Sequence, residues 1–291
     1  MSESLLRSYL QFVRSPDLTA PPETLGTGTI RNRILRLYCV HFCAIITAGI
    51  LISRIPGLQD ASKIQDMFDA TPIGPLFFAG VIMAPVLEEA IFRLPLRPYI
   101  ENLMLAASLF IFVVLGFFAD VIPPSFLAVA MSTMIGLTLY LFWRRSRRSQ
   151  KEPAIRIAAG PLATFVFYGF AILFGVVHIT NYDMAVWYFL PLVVMPQVII
   201  GFLLGFVRLR YGYIWAVLLH AFHNFCAILP LFVIKLFGSE TLQVIGEDLD
   251  MDTLSIPDYA VLSVVGLYTM AGLTACVVIT WQMIREMKAQ P

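Results

Sequence analysis

The sequence predicts an all-α fold: a polytopic membrane helix bundle of about eight transmembrane helices, with both termini in the cytoplasm. Three observations favour this class. Hydrophobic residues make up 59% of the 291 residues, and the mean hydropathy is +0.81. Charged residues make up only 13%, whereas soluble domains contain roughly 25%. Apolar segments long enough to cross a hydrocarbon layer of ~30 Å recur along the chain.

The first 33 residues precede the membrane domain. Their apolar residues recur at helical spacing, at Leu5, Leu6, Tyr9, Leu10 and Val13. This pattern is typical of a short interfacial helix, and a linker rich in Pro, Gly and Thr follows it. We therefore predict an interfacial helix with its linker over residues 1–33 and a membrane domain over residues 34–291.

The membrane domain contains eight apolar segments. They cover approximately residues 34–53, 72–92, 103–121, 125–143, 159–178, 187–207, 213–237 and 259–283. Cytoplasmic loops of membrane proteins are enriched in Lys and Arg. With the N-terminus inside, all but three of the 20 Lys and Arg residues fall on the cytoplasmic side, the exceptions being Arg54, Lys63 and Lys235. If one helix too many or too few were assigned, the Lys and Arg residues would fall on both sides of the membrane. Their distribution on one side therefore favours eight helices.

The charge balance bears on partners and location. A formal net charge of +1 argues against a nucleic-acid partner, and the apolar composition makes membrane lipid an expected partner. The basic run at residues 144–151 is either a topology anchor or a contact for anionic lipid. The absence of a signal peptide and the short loops favour a multi-pass protein of the cell membrane, specifically a bacterial inner membrane.

Ionisable residues inside the second apolar segment are the first candidates for a site. A charged side chain in lipid is costly unless it is paired, so such residues are usually functional. Glu89 and Arg93 are four residues apart on a helix, and their side chains should meet. Glu88 points about 100° away and is left available as a general base. The alternative is a purely structural charged cluster at the cytoplasmic interface.

Two further segments carry polar residues that packing explains poorly. His178 lies at the end of the fifth span. His220 and Asn224 share one face of the seventh span, with His223 on its flank. Each needs hydrogen-bond partners inside the membrane.

Together these residues are suited to activating water against a carbonyl. Glu88 would take a proton from water, His178 would orient that water, and His220 with Asn224 would donate to the oxyanion. This chemistry requires no cofactor. A divalent metal such as zinc is the alternative, with Glu88, His178 and His220 as ligands. However, the H-E-x-x-H signature of zinc proteases is absent.

The three motifs, in this order, resemble those of the CPBP intramembrane proteases, the group of CAAX prenyl proteases and Abi bacteriocin-immunity proteins. The E-E-x-x-x-R pattern stands at residues 88–93, F-x-x-x-H at residues 174–178 and H-x-x-x-N at residues 220–224. The resemblance implies an intramembrane endopeptidase with a peptide or protein substrate, acting in maturation or in bacteriocin self-immunity. It implies the same roles for the same residues and leaves metal dependence open, since both kinds of member have been described.

The sequence predicts two features that differ from the family pattern. An inserted helix pair at about residues 103–156 separates the first two motifs. The predicted topology also places His178 near the outer end of its helix, and Glu88 and His220 near the cytoplasmic side. At 1.5 Å per residue, these side chains would lie roughly 15 Å or more apart.

The same residues also allow an interpretation in which the protein is not an enzyme. Intramembrane clusters of Glu, Arg and His also form ion or proton paths, so a transporter or a membrane scaffold is the alternative function. Transporters often contain internal repeats, and the sequence shows none.

Overall fold

The computed structural model describes residues 4–55, 58, 63–97, 99–117, 123–147, 160–183, 188–239, 242 and 254–290. This part of the chain is helical, as predicted. The helices are α1 (Leu5–Arg14), α2 (Thr27–Ser53), α3 (Ile64–Ala70), α4 (Ile73–Phe92), α5 (Ile100–Phe117), α6 (Pro124–Arg147), α7 (Pro161–Val177), α8 (Leu190–Val193), α9 (Met195–Arg210), α10 (Tyr213–Phe237) and α11 (Ile256–Lys288). A 3₁₀ turn (His178–Asn181) follows α7.

Six candidate membrane spans lie in the described ranges, so the chain is a multi-pass membrane protein. They are α2, α4, Pro124–Leu141 of α6, α7 with its 3₁₀ turn, α10 and α11. The count of eight is not confirmed. The predicted span 103–121 begins within α5, whose apolar part is only Ile100–Gly116, and residues 118–121 are outside the described ranges.

The predicted span 187–207 is interrupted. The short helix α8 ends at Val193, and α9 begins at Met195 with a proline, Pro196, in its first turn. Proline lacks the backbone donor that would continue a helix but fits the first turn of a new one. The apolar run therefore forms two helices where the sequence pattern predicts one.

Helix α1 forms within the segment predicted to be an interfacial helix, and it packs on the rest of the bundle. It packs against α2, α9 and α11, with Leu6 and Tyr9 buried. The Tyr9 hydroxyl lies 2.7 Å from Nε2 of His41, and burial raises the pKa of that hydroxyl. The backbone N–H of Ser4 donates to the side chain of Gln290 at 2.7 Å. The two ends of the chain therefore lie side by side.

Arginines hold the N-terminal linker against the same end of the bundle. Arg97 donates to the backbone carbonyls of Leu18 and Leu209, at 3.1 and 2.8 Å. Glu23 forms an ion pair with Arg210 at the end of α9. These contacts hold the linker against the last turn of α9 and against the segment that follows α4.

Close contact between α7 and α9 depends on glycine. A Cβ at Gly175 would lie 2.3 Å from Cγ2 of Val198, and a Cβ at Gly205 would lie 2.8 Å from Cε2 of Phe167. Small residues allow membrane helices to approach closely. The contact at Gly175 lies close to the C-terminal end of α7 and fixes how near that end, with His178, comes to α9.

Two helices, α5 and α6, form in the segment predicted to be an inserted pair, and they pack against each other. Ser108 and Thr138 are 3.0 Å apart across their interface, and α5 also packs against α4. The predicted insertion extends to residue 156, but residues 148–156 lie outside the described ranges, as does the end of the basic run 144–151.

Candidate active site

The two acidic residues lie in the last turns of α4, after a change in helical geometry. Residues Phe78–Met83 form a π-helical turn, and a regular α-helix resumes at Ala84. Pro85 follows directly, and a proline disturbs the hydrogen bonds of the turn before it. Single π-turns inside α-helices occur frequently at functional sites.

Glu89 and Arg93 meet, as their spacing predicts. Nε of Arg93 lies 3.7 Å from Oε2 of Glu89, and both residues are 0% exposed. This distance exceeds that of a hydrogen bond. Within the described part of the chain, the three guanidinium nitrogens of Arg93 have no hydrogen-bond partner. The pair is therefore a contact of buried opposite charges.

Glu88 faces two imidazoles. Its Oε2 lies 3.8 Å from Nε2 of His178 and 3.7 Å from Nε2 of His220. The Glu88 side chain is 26% exposed and that of His178 is 20% exposed, whereas His220 is buried. The structure thus brings together three of the predicted site residues from α4, α10 and the end of α7.

The expected separation of roughly 15 Å between His178 and the other two residues is wrong. The first turns of α7 explain the difference, because Ala163 and Phe167 pack in one cluster with Leu96, which follows the end of α4. Helix α7 therefore begins beyond the end of α4. His178, which follows the last residue of α7, consequently lies beside Glu88.

Both imidazoles are oriented through their Nδ1 atoms. Nδ1 of His178 lies 2.7 Å from the carbonyl oxygen of Phe174, which can only accept, so this nitrogen donates. Nδ1 of His220 lies 3.0 Å from Oε1 of Glu89 and donates to that carboxylate. Both Nε2 atoms are consequently directed toward Glu88. The sequence pattern did not predict the bond between Glu89 and His220.

Asn224 lies one turn beyond His220 on α10. Its Nδ2 donates to the carbonyl oxygen of Gly80 at 2.8 Å. Gly80 belongs to the π-helical turn, and a Cβ there would lie 3.1 Å from Cδ1 of Ile228. The amide is thereby fixed between α10 and α4. On the flank, Nδ1 of His223 lies 3.2 Å from the hydroxyl of Tyr38.

The arrangement does not form a metal cluster. Among the residues that the structure describes, no group of three or more His, Cys, Asp or Glu side chains is placed to hold a metal ion. Oε2 of Glu88 lies 3.8 and 3.7 Å from Nε2 of His178 and His220, which is longer than a direct hydrogen bond.

Comparison with known families identifies one match. Residues 152–226 match the family described as type II CAAX prenyl endopeptidase Rce1-like. Neither the curated proteins nor the solved structures give a match. The matched segment contains His178, His220 and Asn224 but begins after the motif at residues 88–93. It confirms the resemblance of this chain to the CPBP and CAAX proteases.

Proposed function

We propose that this chain, similar to type II CAAX prenyl endopeptidases over residues 152–226, is an intramembrane endopeptidase. One observation carries the proposal: Oε2 of Glu88 lies within 3.8 Å of Nε2 atoms from both His178 and His220. A carboxylate and two imidazoles, contributed by three different parts of a membrane bundle, suit general-base catalysis on water. Roles in protein maturation or in bacteriocin self-immunity are compatible with this activity.

In the first step, a water molecule between Glu88 and His178 attacks the carbonyl carbon of the peptide. Glu88 takes one proton from that water, and the carbonyl oxygen becomes an oxyanion. In the second step, the C–N bond breaks and Glu88 gives its proton to the leaving amine. The products are a carboxylic acid and an amine, so one water molecule is consumed for each bond cleaved.

His220 and Asn224 stabilise the oxyanion. His220 must donate from Nε2, which requires a proton on each ring nitrogen, and Glu89 accepts the one on Nδ1. When the histidines are neutral, Glu88, Glu89 and Arg93 together carry a net charge of −1. One added proton on His220 brings the net charge of the site to zero. Asn224 has a second N–H on Nδ2, in addition to the one that Gly80 accepts.

The reaction so described requires no metal. Were a divalent ion such as zinc bound here, Glu88, His178 and His220 would be its ligands, and it would polarise water as a Lewis acid. The donor atoms in this structure do not close around such an ion. The proposed reaction therefore contains no step at a metal ion.

Both termini lie on the cytoplasmic side of a cell membrane in this proposal, specifically a bacterial inner membrane. The contact between Ser4 and Gln290 requires that the two ends share one side. The arginines at that end of the bundle, such as Arg97 and Arg210, support its assignment to the cytoplasmic side by the positive-inside rule. Membrane lipid surrounds the bundle, and the substrate is a peptide or protein.

Replacing Glu88 by Gln tests the function. The variant protein in lipid vesicles is assayed with membrane-tethered reporters that end in C-a-a-X, with and without a prenyl group. General-base catalysis contributes about 10²–10⁴-fold, and cleavage should fall by that factor while thermal stability is nearly unchanged. The matched control is Glu286→Gln, since Glu286 pairs with Arg36 at the surface. Cleavage by Glu88→Gln at the wild-type rate would refute the proposed mechanism.

A further inference from the structure

Phe174 lies where the elements of the candidate active site meet. It is on α7 and only 1% exposed. Its ring centroid is 4.9 Å from that of His178 and 5.5 Å from that of His220, both in edge-to-face geometry. The same ring contacts Phe92 of α4 at 5.6 Å. One side chain thus contacts both imidazoles and the helix that carries the carboxylates.

The face of this ring also receives a buried cation. Cζ of Arg93 lies 4.5 Å from the centroid of the Phe174 ring. Arg93 has no hydrogen-bond partner for its guanidinium nitrogens among the described residues, and its nearest carboxylate oxygen is 3.7 Å away. A desolvated guanidinium over an aromatic face is a favourable contact. The ring therefore supplies an attraction that hydrogen bonds do not.

The backbone of the same residue acts on His178. Helix α7 ends at Val177, and the last carbonyl groups of a helix have no intrahelical partner. The carbonyl of Phe174 instead accepts from Nδ1 of His178 at 2.7 Å. This bond directs Nε2 of His178 toward Glu88. Phe174 thus contacts His178 through both its ring and its backbone.

We propose that Phe174 is a positioning residue: its ring holds Arg93, His178 and His220 in the arrangement that faces both Nε2 atoms toward Glu88. Its catalytic consequence rests on the proposed function, but the positioning does not. A ring that merely filled space would be replaceable by an aliphatic side chain of similar volume. A ring that binds the guanidinium by its face and contacts both imidazoles in edge-to-face geometry is replaceable only by another aromatic ring.

The test compares Phe174→Leu with Phe174→Tyr and with a packing control. The control is Phe167→Leu, because Phe167 is equally buried on α7 but makes its ring contacts with Phe12, Tyr168 and Phe202. The chain has only four histidines, so a protein labelled with ¹⁵N at histidine gives a spectrum that single His→Gln variants can assign. This readout requires no substrate.

We expect Phe174→Leu to move the ring ¹⁵N signals of His178 and His220 and to leave those of His41 in place. In the cleavage assay, kcat should fall roughly ten- to a hundredfold with KM nearly unchanged, since small misplacements are costly. Phe174→Tyr should restore both readouts in large part, and Phe167→Leu should change only thermal stability. Should the leucine variant not fold, Phe174→Met takes its place.

Two results overturn the inference. In the first, the ¹⁵N signals of His178 and His220 stay in place in Phe174→Leu, as they do in Phe167→Leu. In the second, the aromatic variant shows the same displaced signals as the leucine variant. A failure of the proposed function would look different: Glu88→Gln would match the wild type in every assay, while the spectra still reported on the ring.

Discussion

Glu89 offers the sharpest perturbation, because one buried carboxylate serves two partners. It accepts from Nδ1 of His220 at 3.0 Å and lies 3.7 Å from Nε of Arg93. Replacement by Gln keeps the shape and removes the charge. Arg93 is then a buried cation without its anion, and removing one partner of a buried ion pair costs about 3–5 kcal/mol of stability.

The same substitution should slow cleavage by a separate route. A hydrogen bond to a charged group is worth about 1.5–3 kcal/mol, and 1.36 kcal/mol corresponds to about a tenfold change in rate. If the Glu89 carboxylate stabilises the proton on His220 in the transition state, kcat should fall roughly ten- to a hundredfold. Gln retains an oxygen that can accept from Nδ1, so complete loss of activity is not expected.

A double variant separates the two effects. In Glu89→Gln with Arg93→Met, no unpaired cation remains, and most of the lost stability should return because apolar residues often replace buried ion pairs at little cost. The catalytic defect should persist. Stability is measured by thermal unfolding in detergent, and kcat by reporter cleavage in vesicles. Recovery of kcat together with stability would refute the assignment of a catalytic role to the carboxylate at Glu89.

Three further predictions concern the surrounding structure. Asn224→Ala should lower kcat about 10²–10³-fold, the usual cost of losing an oxyanion donor, and Asn224→Asp should not restore it; near-normal kcat would exclude that role. Chelators such as 1,10-phenanthroline should leave cleavage within twofold, whereas loss that zinc reverses would show a metal dependence. Gly175→Ala should destabilise by about 1–3 kcal/mol, because its Cβ would meet Val198 at 2.3 Å. A Cβ at Gly169 on the same helix would meet no atom within 4 Å, so the control Gly169→Ala should leave the midpoint of thermal unfolding unchanged.

Several features followed from local sequence. Apolar runs of sufficient length identified α2, α4, α7, α10 and α11, since hydrophobic length is set by the bilayer. The spacing of Glu89 and Arg93 predicted their contact, because residues four apart on a helix are neighbours. These predictions depend only on the geometry of a single helix.

Other features depend on how helices are placed against one another, which spacing does not encode. The predicted depth of His178 was wrong because α7 begins beyond the end of α4, where Ala163 packs in one cluster with Leu96. The bond between Glu89 and His220 joins residues far apart in sequence. Pro85 was the available signal for the π-helical turn that exposes the Gly80 carbonyl to Asn224.

The contact between the chain ends has a practical consequence. Because Ser4 and Arg7 reach Gln290 directly, a short peptide could join the two termini and the chain could be reopened between α5 and α6. Such a circular permutant would keep the native helix contacts but present the helices to the insertion machinery in a new order. It would therefore distinguish the contribution of insertion order from that of the final packing.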